Sequence, residues 1–194
     1  DGLWHLSYSP TWVLSAHLPR QKSKRSLPDP REQIIDLGSG ALGAQVAIAW
    51  HFFHKTFDNI DPVISFVIQD AMKKQILDPY LNTDEYRAHW WLGFDLKKGQ
   101  VVNNWNPWII SNILTVFLTV RPEKSVFENG LYKMLTEINH YYESMPDDGG
   151  CDEGCHYWGV AGAKLFAFCD QLYIATDGKL NFFKKENQPV GASD

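Results

Sequence analysis

The chain has 194 residues, a net charge of -5 and an apolar fraction of 44%. The acidic balance argues against a nucleic acid partner, because contacts to phosphates need a basic face. The apolar fraction is ordinary for a globular protein, and no run approaches the ~20 continuous apolar residues that a membrane span needs. We therefore expect a single domain with no membrane span.

The N-terminal part of the chain changes character near residue 30. Residues 1–30 are mixed and include a basic stretch at 20–25, which we interpret as a solvated loop, with an anion site as the alternative. Pro28 and Pro30 then mark a boundary. We predict an irregular N-terminal segment over residues 1–30, followed by a helical region over residues 31–178.

Two helices are predicted in the first half of the helical region. Apolar residues recur at helical spacing from residue 31 to about residue 56, and glycines among them indicate close contact with another helix. The second helix begins at Pro62, with Asp61 as its N-cap. We predict that Pro79 ends this helix.

Three more helices are predicted, near residues 106–120, 123–144 and 157–175, before a polar tail over residues 179–194. No alternating strand pattern of useful length is present. The predicted fold class is therefore all-α, built from antiparallel helical hairpins.

Two aromatic-rich signatures stand before the third and fifth predicted helices. The first is Asn103-Asn104-Trp105-Asn106-Pro107-Trp108, and the second ends in Glu153-Gly154-Cys155-His156-Tyr157-Trp158. Because the fourth helix runs back between them, we expect both signatures at one end of the helical array, sharing a cleft. Amides, carboxylates, an imidazole and a phenol beside indole rings are typical of a sugar-binding site.

Four tryptophans are the candidates for substrate binding, since an indole face stacks on the apolar face of a pyranose. They are Trp91, Trp105, Trp108 and Trp158. Packing in the core is the competing interpretation, because each indole buries a large apolar area.

The polar residues of the signatures are compatible with β-elimination on a uronic acid. That reaction needs a group to neutralise the carboxylate, a base for the adjacent C–H and an acid for the leaving oxygen. Amide donors such as Asn103 and Asn104 fit the first role, and Tyr157 fits the other two. His156 is a further candidate, as a general base or as a group that orients the carboxylate.

Glycoside hydrolysis is the alternative chemistry, since it uses two carboxyl groups that flank the scissile bond. Asp152 and Glu153 are its candidates, although acidic residues before a helix also serve as turn formers and caps. A non-catalytic glycan-binding domain is the third alternative. No cofactor is expected, and no metal, because Cys151, Cys155 and His156 lack an evident fourth ligand.

The two signatures resemble those of the heparinase II/III-like polysaccharide lyases. The resemblance also includes residues 52–64, 76–81 and 90–93, and it covers most of residues 10–178. It implies an incomplete α/α toroid followed by an antiparallel β-sandwich domain. It also implies cleavage of uronic-acid glycans in the periplasm or outside the cell.

The resemblance places the family's amide at Asn103 or Asn104 and its catalytic tyrosine at Tyr157. Members of the family usually carry a histidine directly after the amide, where this chain has Asn104 or Trp105. A second histidine from the β domain has no counterpart. We therefore expect the chain to be a fragment of a larger lyase-like protein that is inactive alone. Helix faces that the missing helices would cover are expected to favour self-association.

Overall fold

The computed structural model describes residues 1–82, 89–93, 102–151 and 153–184, and this part of the chain is entirely helical and irregular, without strands. The α-helices are α1 (Gly2–Ser7), α2 (Leu37–Ile60), α3 (Pro62–Met72), α4 (Asp78–Leu81), α5 (Trp105–Val120), α6 (Lys124–Ser144) and α7 (Cys155–Ala175). The all-α prediction is confirmed. Each helix in the described ranges is too short or too polar to cross a lipid bilayer.

Helix α5 is at the centre of the molecule. Its neighbours on either side, α2 and α7, run parallel to it. On one side, a Cβ built at Gly40 of α2 would contact Ile109, and one at Gly43 would contact Val116. On the other side, Asn112 bonds Lys164 of α7 and Thr115 bonds Gln171. In both pairings the residue numbers rise together, so α2, α5 and α7 point in one direction.

The other two long helices return in the opposite direction. Helix α3 follows α2 after a turn at Asp61, whose side chain caps it by accepting from the backbone N–H of Val63 at 2.9 Å. Helix α6 follows α5, with Phe127 near its start stacked on Phe117 near the end of α5. The described chain is therefore two antiparallel hairpins plus α7, with the N-termini of α2, α5 and α7 at one end.

The prediction that Pro79 ends the second helix is wrong. The chain continues from α3 through one π-helical turn at Lys73–Leu77 and into α4, which ends at Leu81. In a regular α-helix the proline ring clashes with the carbonyl four residues earlier and removes a hydrogen bond. The wider turn just before Pro79 gives the ring room, so the helix passes through the proline.

The N-terminal segment is more ordered than its sequence predicts. It contains α1 and a 3-10 turn at Ser15–Arg20, where an irregular segment was expected. Asp36, the N-cap of α2, fixes this segment in place, because its Oδ2 accepts from the backbone N–H of Leu14 at 3.0 Å and contacts His17 Nδ1 at 2.6 Å. Its Oδ1 accepts from Ser39 N–H at 2.7 Å. One buried carboxylate thus ties residues 14–17 to the N-terminal end of α2.

Candidate functional site

The two signatures meet at the N-terminal ends of α5 and α7. Asn104 Nδ2 lies 2.8 Å from both carboxylate oxygens of Glu153, and the backbone N–H of Asn104 donates to Glu153 Oε2 at 3.1 Å. Asn104 is buried, whereas Glu153 is exposed. Residues 49 positions apart in the chain are therefore joined by three hydrogen bonds. The shared location that was expected from helix order is present in the structure.

This contact changes the role expected of Asn104. Its amide N–H groups are directed at Glu153 and are not presented to a ligand. Asn103 differs, because its Oδ1 accepts from the backbone N–H of Trp105 at 3.1 Å and no described residue accepts from its Nδ2. Of the two candidate amides, Asn103 is the one with a donor to offer.

Tyr157 lies in the first turn of α7 and is 44% exposed. The residues four, seven and eleven positions further on, Ala161, Lys164 and Phe168, share its helix face. Ala161 and Phe168 are buried, and Lys164 bonds Asn112 of α5. Tyr157 thus begins the face of α7 that packs on α5. Helical side chains generally lean towards the N-terminus, so we expect the phenol to lie towards the end where the signatures meet.

His156 is the immediate neighbour of Tyr157 and is also exposed. The two rings are in edge contact, with centroids 5.4 Å apart and an interplanar angle of 77°. An imidazole and a phenol are therefore both accessible at the start of α7. Asp152, the other acidic candidate beside Glu153, lies outside the described residues.

The four candidate tryptophans have different environments, and Trp91 does not fit its expected role. Trp91 is 1% exposed, and its Nε1 donates to the backbone carbonyl of Ile35 at 3.2 Å. It is a core residue that no sugar can reach. Trp108 is partly buried, with Lys164 Nζ 5.7 Å from its ring centroid.

The other two tryptophans are nearer the surface. Trp158 is 54% exposed, and its Nε1 donates to the carbonyl of Gly149 at 2.7 Å, which fixes the loop before α7. Trp105 is partly exposed at the first position of α5. Trp158 has the larger exposed indole face, whereas the Trp105 ring is contacted by other side chains.

Sequence reasoning missed an aromatic and cationic cluster around Trp105. The Trp90 ring, 38% exposed, lies 5.3 Å from the Trp105 ring, and the His17 ring lies 5.1 Å from it. Arg20 Cζ is 5.2 Å from the Trp105 centroid and 5.7 Å from that of Trp90. We call Arg20, Trp90 and Trp105 the indole–arginine cluster.

A signal for this cluster was available in the pair Trp90-Trp91. In a tight turn, consecutive side chains point in different directions, so only one of two adjacent tryptophans can enter the core. The 3-10 turn at Trp90–Leu92 buries Trp91 and leaves Trp90 outside. The partner Arg20 comes from a segment far away in sequence, and no local pattern indicates that contact.

A buried polar network holds this turn against α5 and α6. Asn106 Nδ2 donates to the carbonyls of Trp91 at 2.9 Å and Glu137 at 3.0 Å. Tyr80 O–H donates to Glu137 Oε2 at 2.5 Å. Burial raises the pKa of Glu137 to about 8, so its neutral form is favoured at neutral pH. Asn106, within the first signature, therefore has a structural role.

No three His, Cys, Asp or Glu side chains in the described ranges are placed to hold a metal ion. Cys151, Cys155 and Cys169 are free thiols.

No protein-family model matches the chain, and no curated protein matches it at a significant level. The site is therefore interpreted from its own chemistry. One end of the molecule presents an amide donor (Asn103), a phenol with an adjacent imidazole (Tyr157 and His156) and the indole–arginine cluster. We call these residues the rim. They comprise hydrogen-bond donors, a phenol, an imidazole and aromatic rings.

Proposed function

We propose that the protein acts on uronic-acid glycans as a polysaccharide lyase, at the rim. The observation that carries this proposal is the set of hydrogen bonds between Asn104 and Glu153. They bring the amide signature and the tyrosine signature to one end of the molecule. Asn103 and Tyr157, which begin adjacent parallel helices there, can then serve a single sugar residue.

In the proposed reaction, Asn103 Nδ2 donates a hydrogen bond to the uronate carboxylate and stabilises the enolate-like state that develops. Tyr157, as the phenolate, removes the proton from the carbon next to the carboxylate. The electron pair of that C–H bond forms a C=C bond as the C–O bond to the leaving sugar breaks. The Tyr157 phenol returns its proton to the leaving oxygen. His156, in edge contact with the Tyr157 ring, orients the substrate carboxylate.

Hydrolysis by Glu153 is the second candidate, and its hydrogen bonding argues against it. Both Glu153 oxygens accept from Asn104, which assigns this carboxylate to holding two loops together. A hydrolase needs two carboxyl groups that face the scissile bond. A non-catalytic glycan-binding domain is the third candidate, and it differs from both enzymes because it would bind the glycan without forming any product.

The parallel row of α2, α5 and α7, with α3 and α6 returning beside it, supports the proposal that the chain is part of an incomplete α/α toroid. Large apolar side chains face solvent on α2 and α7, at both sides of the row. They include Phe52 at 73%, Phe53 at 55%, Phe166 at 58% and Ile174 at 66% exposed. Further helices or a second copy of the chain would cover them. The location that accompanies the proposal is the periplasm or the extracellular space.

The test is the appearance of an unsaturated uronate, followed by its ultraviolet absorbance, when the full-length protein meets uronic-acid glycans. The full-length protein is used because the resemblance to the heparinase II/III-like lyases implies a second histidine from another domain. Tyr157→Phe is expected to lower kcat by ~100-fold or more. Tyr132→Phe, an exposed tyrosine on α6, is the matched control and is expected to retain full activity.

The product distinguishes the three functions. Unsaturated product that depends on Tyr157 supports the lyase. A saturated, hydrated product that disappears in Glu153→Gln and persists in Tyr157→Phe would support the hydrolase. Glycan binding without any product, in the full-length protein, would support the non-catalytic domain.

A further inference from the structure

We propose that Arg20 binds the carboxylate of the uronic acid, which makes the indole–arginine cluster the subsite that selects anionic over neutral sugars. This inference rests on the proposed function, since it names the residue that recognises the charged group of that substrate. It gives a specific role to a residue of the basic stretch at 20–25, for which a solvated loop was the leading interpretation.

The guanidinium of Arg20 is held by two rings at once. Its Cζ lies 5.2 Å from the Trp105 centroid and 5.7 Å from the Trp90 centroid, and the two indoles are 5.3 Å apart. A guanidinium over an aromatic ring is attracted by the charge distribution of the ring, and this attraction uses none of its N–H donors. The contact therefore fixes the position of the cation without using its hydrogen-bond donors.

Within the described part of the chain, the Arg20 side chain has no acidic partner and no hydrogen bond. The other arginines of the same segment are compensated. Arg31 Nη2 lies 2.7 Å from Asp29 Oδ2, and Arg25 Nη1 lies 3.9 Å from the same oxygen. Two of the three arginines of this segment thus share one internal carboxylate, whereas the third, Arg20, lies on aromatic rings and can meet an external anion.

The loop that carries Arg20 is fixed by the next residue. Gln21 is 3% exposed, and both ends of its amide are used. Its Nε2 donates to the carbonyls of Leu18 at 3.0 Å, Arg25 at 3.2 Å and Leu27 at 3.0 Å. Its Oε1 accepts from the backbone N–H of Asp29 at 2.8 Å. This ordered backbone limits the entropy that Arg20 would lose on binding a ligand.

The cation and the free amide contact the same tryptophan. Arg20 lies over the Trp105 ring, and Asn103 Oδ1 accepts from the Trp105 backbone N–H. Because the Asn104 amide is engaged by Glu153, Asn103 is the one of the two candidate amides that can donate to a ligand. A charged donor would add a stronger, charge-assisted interaction with a carboxylate than one amide can give. A neutral pyranose would gain only stacking on the indoles.

The experiment measures binding of a short glucuronate oligosaccharide to the full-length protein by calorimetry. The variants are Arg20→Gln, Arg20→Lys and, as the matched control, Arg25→Gln, which removes the same charge from the same loop. Arg20→Gln is expected to weaken binding ~10- to 100-fold, the usual effect of losing a hydrogen bond to a charged group. Arg20→Lys keeps the charge but loses the planar arrangement of donors, so its affinity is expected to lie between those of the wild type and Arg20→Gln. Arg25→Gln is expected to change the affinity by less than ~3-fold.

A carboxyl-reduced form of the same oligosaccharide, which is neutral, is the second probe. Its weaker binding is expected to be equal in the wild type and Arg20→Gln, and this equality also shows that the variant is folded. A sulfated oligosaccharide that carries no carboxylate is the third probe. Binding of the sulfated sugar that depends on Arg20, with none for the glucuronate, would overturn the carboxylate assignment.

Two failures can be told apart. Glucuronate binding that prefers the acidic over the reduced sugar, yet is unchanged in Arg20→Gln, contradicts the Arg20 subsite and leaves the proposed function standing. Equal affinity of the wild type for the acidic and reduced sugars, or binding of neither, contradicts the proposed function and the subsite together.

Discussion

Both carboxylate oxygens of Glu153 accept from the side-chain amide of Asn104, each at 2.8 Å. These hydrogen bonds join the start of α5 to the segment before α7, at the end of the helical array where the proposed site lies. It also reassigns both residues. Asn104 positions a loop where a substrate contact was expected, and Glu153 positions a loop where a catalytic carboxylate was the alternative.

The Asn104–Glu153 contact predicts a specific pattern of amide exchange. Glu153→Ala removes the acceptor of the Asn104 backbone N–H, so hydrogen exchange at that amide is expected to accelerate ~10-fold or more. Asp148→Ala is the control, because it removes a different bond in the same loop, from Gly150 N–H to Asp148 Oδ1. Exchange at Asn104 that is equally slow in all three proteins would mean that the loops are joined by something else.

Two glycine-to-alanine changes on different helices are expected to have opposite effects on stability. A Cβ at Gly130 of α6 would overlap the buried ring of Phe117, so Gly130→Ala is expected to lower the free energy of unfolding by ~1–3 kcal/mol. A Cβ at Gly159 of α7 has no atom within 4 Å. Gly159→Ala is expected to raise stability by ~0.5–1 kcal/mol, through helix propensity. Chemical denaturation measures both, and equal signs would contradict the packing described for α5 and α6.

The buried carboxyl of Glu137 predicts a loss of stability as pH rises. Its pKa is raised from 4.5 to about 8, first by burial, with the Tyr80 hydrogen bond and Lys133 acting against the rise. The folded state therefore holds this proton more tightly than the unfolded state. The stability that it contributes is complete below pH ~4.5 and is lost as pH rises through about 8.

The measurement is the free energy of unfolding between pH 5 and 9 for the wild type and Glu137→Gln, which mimics the protonated acid. Relative to the wild type, the free energy of unfolding of Glu137→Gln is expected to increase by ~1 kcal/mol or more as pH rises. His89 titrates in both proteins, with its pKa lowered to about 4 by burial, so its effect cancels in the difference. A difference that does not change with pH would show that Glu137 is ionised in the folded protein.

Trp91 and Trp158 have different environments, the first in the core and the second at the surface. Trp91→Phe leaves the Ile35 carbonyl without its donor and opens space in the core, so we expect a loss of ~2–4 kcal/mol in unfolding free energy. Trp158→Phe, at an exposed position, is expected to cost less than ~1 kcal/mol. Thermal unfolding measures both. A small effect at Trp91 together with a large one at Trp158 would reverse these assignments.

The helical frame was largely predictable because its signals are local. Asp61 and Pro62 mark a helix start by capping chemistry alone, and the structure has α3 begin there. The passage of the helix through Pro79 was not predictable, since it depends on a π-helical turn that no residue pattern specifies. Of the site, only the meeting of the two signatures at one end of the molecule was predictable, because it follows from the order of the helices. The contact of Arg20 with Trp105 joins residues from distant segments, and only the folded chain brings them together.

The origin of the oxygen in the products tests the central proposal most directly. The full-length protein is incubated with a glucuronate polysaccharide in heavy-oxygen water, and the products are analysed by mass spectrometry. Elimination at Asn103 and Tyr157 predicts unsaturated products without heavy oxygen from the solvent in the newly formed ends, and their loss in Tyr157→Phe. Products that are saturated and carry one solvent oxygen at each new reducing end would contradict it, because only hydrolysis inserts water there.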